Sequence, residues 1–287
     1  MVKAGFLPEI HKTLIENLKA TGNPFGEPKE KRTDVFPSTF QPKKGPVDTL
    51  LFAGCVTSYQ DINIVPNIMK ILDKAGVSYT ALGKDEKCCG YISYLVGTTE
   101  FKEIASKNVE AFSKIQPKQI LTTCAGCYKT IKELYPKYTS FKAEVVHAIQ
   151  YLDQLIQDGK IKFKDGSPMK VAYHDPCDLG RHLNIFDPPR NLIARIPGVT
   201  LIEFKNNRLL AKCCGGGGGL KAFNTALSGE IAYKRILEAL DVGAEVVVSA
   251  CPSCKSNLQV AAARLRKEKK SKIKVMDITE LVAEAIA

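Results

Sequence analysis

Short apolar runs alternate along this chain with stretches whose apolar positions recur every three or four residues. In the first half, DTLLFAG (48–54), VSYTAL (77–82), KQILTT (118–123) and AEVVHA (143–148) predict strands. Helical periods fit between and after them at 63–75, 99–115, 126–135 and 148–158. The second half repeats the order, with strands predicted at MKVAYH (169–174), VTLIEF (199–204), AEVVVSA (244–250) and IKVMD (273–277). Its helices are predicted at 188–196, 220–241, 253–267 and 278–286. Strands that alternate with helices bury both faces of a parallel sheet, so the pattern predicts an α/β fold of two pseudo-symmetric Rossmann-like lobes. KFKDGSPMK (162–170), with its Asp-Gly and Pro, is the natural hinge, which divides the chain into lobes 47–160 and 161–287. Ahead of them, residues 1–46 read as a helix and connector. Leu7, Ile10, Leu14, Ile15 and Leu18 give 5–20 an amphipathic stripe, and the Pro-, Gly- and charge-rich 22–46 predicts an extended, unpacked lead-in.

Composition narrows the class. Hydrophobic residues make up 45% and charged residues 25% of the 287, enough apolar material for proper cores. No run approaches the roughly 18 apolar residues of a membrane span. The opening MVKAGFLPEIHKTL has neither an apolar signal region nor a small-residue cleavage site. A cytoplasmic, reducing compartment is therefore expected, with any membrane contact made through partners. The net charge of +11 is spread along the chain apart from Arg264–Lys274 (RLRKEKKSKIK). No aromatic-interleaved basic motif accompanies it, so a solvated surface with a docking or substrate-facing patch is expected rather than nucleic acid.

The cysteines change the picture most. All ten fall into two copies of one pattern. Cys55, Cys88, Cys89, Cys124 and Cys127 form a CX32CCX34CXXC set; Cys177, Cys213, Cys214, Cys251 and Cys254 form a CX35CCX36CXXC set. Cys55, Cys124, Cys177 and Cys251 each follow a predicted strand, the edge of an open α/β sheet where ligands gather. Each CXXC opens a predicted helix, whose free amides favour an anionic sulfur. Zinc in a four-thiolate site would leave one cysteine idle in each set. Disulfides between adjacent cysteines are strained and suit another compartment. An iron–sulfur cluster held by up to five thiolates uses every cysteine.

LFAGCVTSY, KCCGY, TTCAGCYKT, YHDPCDLGRH, KCCGGGGGL and SACPSCKSNL carry a resemblance to the cysteine-rich CCG-domain iron–sulfur proteins, most closely to the D-type and B-type subunits of heterodisulfide reductase. It covers residues 47–287, and ENLKATGNPFG is similar to the connector that follows the ferredoxin domain in larger members. The resemblance implies a non-cubane [4Fe–4S] cluster on each set. The ten cysteines would serve as metal and cofactor ligands and, because the clusters react with the substrate sulfurs, as catalytic groups. It also implies a small thiol or disulfide substrate, a ferredoxin-like iron–sulfur partner and a flavoprotein partner. No CxxCxxCxxxCP motif occurs in this sequence, so cubane clusters would come from the partner. A second role in the same family stays open: a non-catalytic relay from a flavin-dependent glycolate, lactate or glycerol-3-phosphate dehydrogenase. A zinc-stabilised scaffold is the third reading.

Other residues carry weaker signals. Gly215–Gly219 lacks the Lys-Ser/Thr of a phosphate loop and suits close backbone approach to a cluster. His174 beside Cys177 is a candidate proton donor, against the plainer reading that His174 and Asp175 fix the loop by hydrogen bonds. His182 also stands near Cys177; Arg181 and the many lysines are candidates for contact with an anionic thiol or for solvent, and His147 reads as structural.

Overall fold

In a computed structural model the chain is described over residues 6–43 and 45–287. Residues 1–5, on which the start of the amphipathic stretch and much of the signal-peptide reading fall, lie outside the described residues. Two four-stranded, all-parallel sheets dominate the chain. The first holds β1 (Thr49–Phe52), β2 (Tyr79–Ala81), β3 (Gln119–Thr122) and β4 (Glu144–His147) in the order β2-β1-β3-β4. The second holds β5 (Met169–His174), β6 (Val199–Ile202), β7 (Val246–Ser249) and β8 (Lys274–Asp277) in the matching order β6-β5-β7-β8. All eight predicted strands are present. Leu50, Leu51 and Phe52 in β1 and Val247 and Val248 in β7 are completely buried, as strands covered on both faces require.

Helices α1 (Glu9–Thr21), α2 (Cys55–Tyr59), α3 (Ile64–Lys74), α4 (Tyr91–Val96), α5 (Glu100–Ile115), α6 (Ala125–Lys129), α7 (Tyr135–Tyr138) and α8 (Ala148–Gln157) accompany the first sheet. A π-helical turn, Thr130–Leu134, joins α6 to α7. Helices α9 (Asp187–Ala194), α10 (Leu220–Phe223), α11 (Thr225–Asp241), α12 (Pro252–Lys267) and α13 (Ile278–Ala285) accompany the second. The single helix expected over 220–241 is broken at Asn224, which leaves helical geometry and caps α11 by accepting from the Leu227 amide. The last helix of each sheet's series packs on a helix between the first and second strands of the other: α8 on α9, and α13 on α3. The expected hinge is tied down as well: Phe163 bridges Ile286, and the Lys164 amide donates to the Ala285 carbonyl.

The lead-in corrects an expectation. Instead of an extended, unpacked segment, Lys29–Val35 forms a 3-10 helix with Arg32 and Val35 buried. Asn23 is also fully buried, its amide bonding the Glu27 carbonyl and its oxygen accepting from the Phe25 and Glu27 amides. The segment packs because a buried ion pair and an asparagine-centred turn satisfy its polar groups, which Pro, Gly and charge content alone do not reveal.

Candidate metal centre

In each sheet the chain runs from its first strand out to one side and returns to the other, so a crevice opens between β1 and β3 and between β5 and β7. Cys55 and Cys124 sit just past the carboxyl ends of β1 and β3; Cys177 and Cys251 sit just past those of β5 and β7. The adjacent pairs arrive on the loops after β2 and β6, and each CXXC spans the start of a helix, with Cys124 capping α6 and Cys251 capping α12.

All ten thiols are free and each set is gathered. In the first, the Cys55 thiol neighbours Cys88, Cys88 neighbours Cys89, and Cys127 neighbours both Cys89 and Cys124. In the second, Cys213 neighbours Cys214, Cys214 Sγ lies 3.2 Å from Cys254 Sγ, and Cys254 neighbours Cys251. Cys177 closes that set near Cys213 and Cys214. The sets also meet, because the Cys124 and Cys251 thiols are neighbours. The neighbouring Cys127 and Cys251 thiols hold Cys124 well below the usual thiol range, and Cys213 and Cys254 do the same for Cys214.

Backbone amides support the anionic form of these sulfurs. Gly90 N donates to Cys88 Sγ at 3.4 Å, Gly215 N to Cys213 Sγ at 3.2 Å and Gly216 N to Cys214 Sγ at 3.3 Å. The glycine run permits this approach: a Cβ on Gly215 would stand 2.7 Å from the Ser228 carbonyl oxygen, and one on Gly216 2.5 Å from that of Ser253. Five free, mostly buried thiols with amide donors suit an iron–sulfur group in each set, since such sulfurs need both a soft cation and hydrogen bonds.

His174 is buried and meets the second set at Cys214 and Cys254 rather than at Cys177. Arg235 Nε donates to His174 Nδ1 at 3.2 Å, so a neutral ring carries its proton on Nε2. Asp175 points elsewhere, accepting from both Nη atoms of Arg190 and from the Arg208 amide. Arg181 and Arg208 line a small pocket together with Cys177, Cys213 and Cys214, with the Arg181 guanidinium on the Ala211 carbonyl. His182 bonds Lys129 and Asp178. His147 caps α8 through Nδ1, where burial pushes its pKa down to about 4.

Several residues had no signal in the sequence because isolated charges read as solvated. Arg32, Glu86, Lys255 and Arg235 are all buried within or beside the sets. Glu86, two residues before Cys88, accepts from the Ala53 and Gly54 amides and from Arg32. Lys255, next to Cys254, crosses to Asp61 of the first lobe. Lys129, two residues past Cys127, crosses to Asp178, next to Cys177.

The family model of the cysteine-rich domain CCG matches residues 49–132 and 171–259. The D-type subunit of the dihydromethanophenazine:CoB--CoM heterodisulfide reductase of Methanosarcina acetivorans is 38% identical over 241 residues, 82% of this chain and 58% of that protein. The probable iron-sulfur-binding oxidoreductase FadF of Bacillus subtilis is 31% identical over 94% of this chain and 40% of its own length. EtfAB:quinone oxidoreductase of Syntrophomonas wolfei is 32% identical over 83% of this chain and 34% of its own length. The chain thus spans between about a third and three fifths of these relatives. A hypothetical protein from Helicobacter pylori shares the fold, with a TM-score of 0.54 at 13% identity over 90% of this chain and 53% of that one. No helix among the described residues is long and apolar enough to cross a membrane.

Proposed function

The chain belongs to the cysteine-rich CCG family, whose relatives include subunits of iron–sulfur oxidoreductases, and from that membership we propose that it is the sulfur-reactive subunit of a heterodisulfide-reductase-like complex. It reduces, or in reverse forms, a disulfide or related sulfur bond. The observation that carries the reading is that both five-cysteine sets are complete and meet at Cys124 and Cys251. A relay needs one working set; a two-electron sulfur bond is served by two one-electron centres side by side.

Cys55, Cys88, Cys89, Cys124 and Cys127 would hold one [4Fe–4S] cluster and Cys177, Cys213, Cys214, Cys251 and Cys254 the other, both non-cubane. When bound, each supplies one-electron redox chemistry and iron sites with affinity for thiolate. The chain's own groups do the rest. Amides of Gly90, Gly215 and Gly216 stabilise the ligand sulfurs, and the Lys255–Asp61 and Lys129–Asp178 contacts fix the spacing of the two sets. His174 holds a proton at Nε2 in the second set, with Arg235 orienting the ring. The overall step is RSSR′ plus two electrons and two protons giving RSH and R′SH. The electrons come from a ferredoxin-like iron–sulfur subunit or a flavoprotein, and the chain works in the cytoplasm, at a membrane surface only through such partners.

A relay to quinone is the second reading, supported by the match to EtfAB:quinone oxidoreductase. Iron and acid-labile sulfide on anaerobic protein test the clusters, and zinc without sulfide overturns both readings. Electron paramagnetic resonance of the oxidised protein with candidate thiols separates the two. A new thiol-dependent signal is expected, and indifference to every thiol assigns the relay.

A further inference from the structure

The two cysteine sets are not equivalent in the fold. In the first, Cys55, Cys88, Cys89 and Cys127 are no more than 7% exposed, and only Cys124, the residue that meets Cys251, is partly open. In the second, Cys213 is exposed and Cys177 half-buried, beside a small pocket that Arg181, Arg208 and Lys212 also line.

The difference comes from the segment that precedes β1. The Gly22 carbonyl accepts from the Cys88 amide at 2.8 Å, and a Cβ on Gly22 would stand 3.4 Å from the Lys87 side chain. Arg32, 1% exposed, reaches the other side of the set. Its Nη1 donates to Glu86 Oε1 at 2.7 Å, to the Gly54 carbonyl at 3.1 Å and to Ser58 Oγ at 3.2 Å, while Nη2 lies 3.9 Å from Cys55 Sγ. The Tyr59 ring lies 5.1 Å from its guanidinium carbon, and Phe25 packs edge-on against the same ring. Burial alone would lower the Arg32 pKa, but Glu86, Cys55 and Tyr59 outweigh it, so the guanidinium stays charged. The second set's buried arginines do something else: Arg190 pairs with Asp175 and Glu203, and Arg235 reaches Cys214 only through His174.

We propose that residues 22–36 form a fixed lid over the first cysteine set, with Arg32 as the positioning residue that fastens it to Cys55. Incoming sulfur compounds and electron partners therefore reach the second set first. This rests on the cluster reading for its redox consequence. A fixed cation that hydrogen-bonds a ligand sulfur favours the more negative, reduced state, so Arg32 raises the potential of the first centre alone. The first set then exchanges with the outside only through its Cys124 face, towards Cys251.

Two measurements test this, and they fail separately. Metal-free protein under reducing conditions is alkylated briefly with iodoacetamide and its cysteines are mapped by mass spectrometry. Cys213 and Cys177 should react first and Cys55 and Cys88 last, and Arg32→Gln should speed Cys88 by about tenfold, the factor for ~1.4 kcal/mol of lost hydrogen bonding, with a smaller gain at Cys55, which also loses the cation that favours its thiolate. If Arg32→Gln does not fold, Arg32→Gln/Glu86→Gln removes both buried charges and carries the same comparison. Cys55 and Cys88 reacting as fast as Cys213 in the unaltered chain overturns the lid, whatever the metal content. On cluster-loaded protein, a redox titration followed by electron paramagnetic resonance should show two potentials. Arg32→Gln lowers only the higher one, and Arg32→Lys restores part of the difference. Equal movement of both, or of neither, overturns the tuning role, whereas a chain without iron and sulfide overturns the cluster reading and leaves the alkylation result standing.

Discussion

Lys255 and Asp61 belong to different lobes, yet they bond at 2.6 Å with both side chains buried. Lys255 also bonds Glu280 at 2.8 Å. Burial pulls the lysine pKa down and the two carboxylates outweigh it, so the ammonium is kept. Lys255→Ala leaves the buried Asp61 and the half-buried Glu280 without their cation, which should cost about 3 kcal/mol of unfolding free energy. Asp61→Asn keeps the Glu280 contact and should cost about half of that. Urea denaturation of the metal-free protein checks both, and equal stability of all three proteins would dismiss the bridge as a fastening between lobes.

Gly216→Ala places a methyl group against the Ser253 carbonyl, where the ideal Cβ is 2.5 Å from the oxygen. The adjacent-cysteine loop and the start of α12 cannot both keep their positions, and overpacking of this kind costs about 1–3 kcal/mol. Iron bound per chain should fall by about half, with the second set lost and the first kept, as each centre is one of two. Gly217→Ala, with open space around its Cβ, is the control and should bind iron normally.

Cys88→Ser and Cys213→Ser should each remove one centre while the other lobe still loads. Iron analysis with circular dichroism reads this out. Iron content unchanged by either substitution would sink the ligand assignment.

Asp277 caps α13, and burial pushes its carboxyl from an ordinary 3.8 up to about 7. The folded chain then keeps a proton that the unfolded chain has lost, so the contribution of Asp277 to stability is full below about pH 4 and declines as pH rises towards 7. A shift of about three units corresponds to at most about 4 kcal/mol. Asn caps a helix as well and carries no charge. Asp277→Asn should therefore gain stability over the unaltered chain at pH 8 and little at pH 4.5. Melting temperatures that differ equally at both pH values would contradict the shift.

Much of this fold is legible in the order of residues alone. Strands buried on both faces read as unbroken apolar runs such as LLF and VVV, and β5 occupies the whole of its predicted run. The cysteine sets are legible as well, because the strand ends that carry them are set by the same pattern. What stays hidden depends on contacts between distant residues. Arg32 and Glu86 are 54 positions apart, and Lys255 and Asp61 are 194 apart. Nothing local distinguishes such charges from solvated ones, so the packed lead-in and the lobe contacts could not be read. Nor could the meeting of Cys124 with Cys251, since the pattern orders strands within a sheet and says nothing of how two sheets face each other.

The exchange in which α8 lies on α9 and α13 on α3 is the arrangement of a two-fold dimer, with the same patch used twice, built here into one polypeptide. Identical subunits around such an axis must change together: a substitution that covers one metal site covers its mate. Fusion removes that constraint. Each half can drift while the shared contact holds them in place, so one centre can be sheltered by an added segment and the other left accessible without loss of the symmetry that brings the two together.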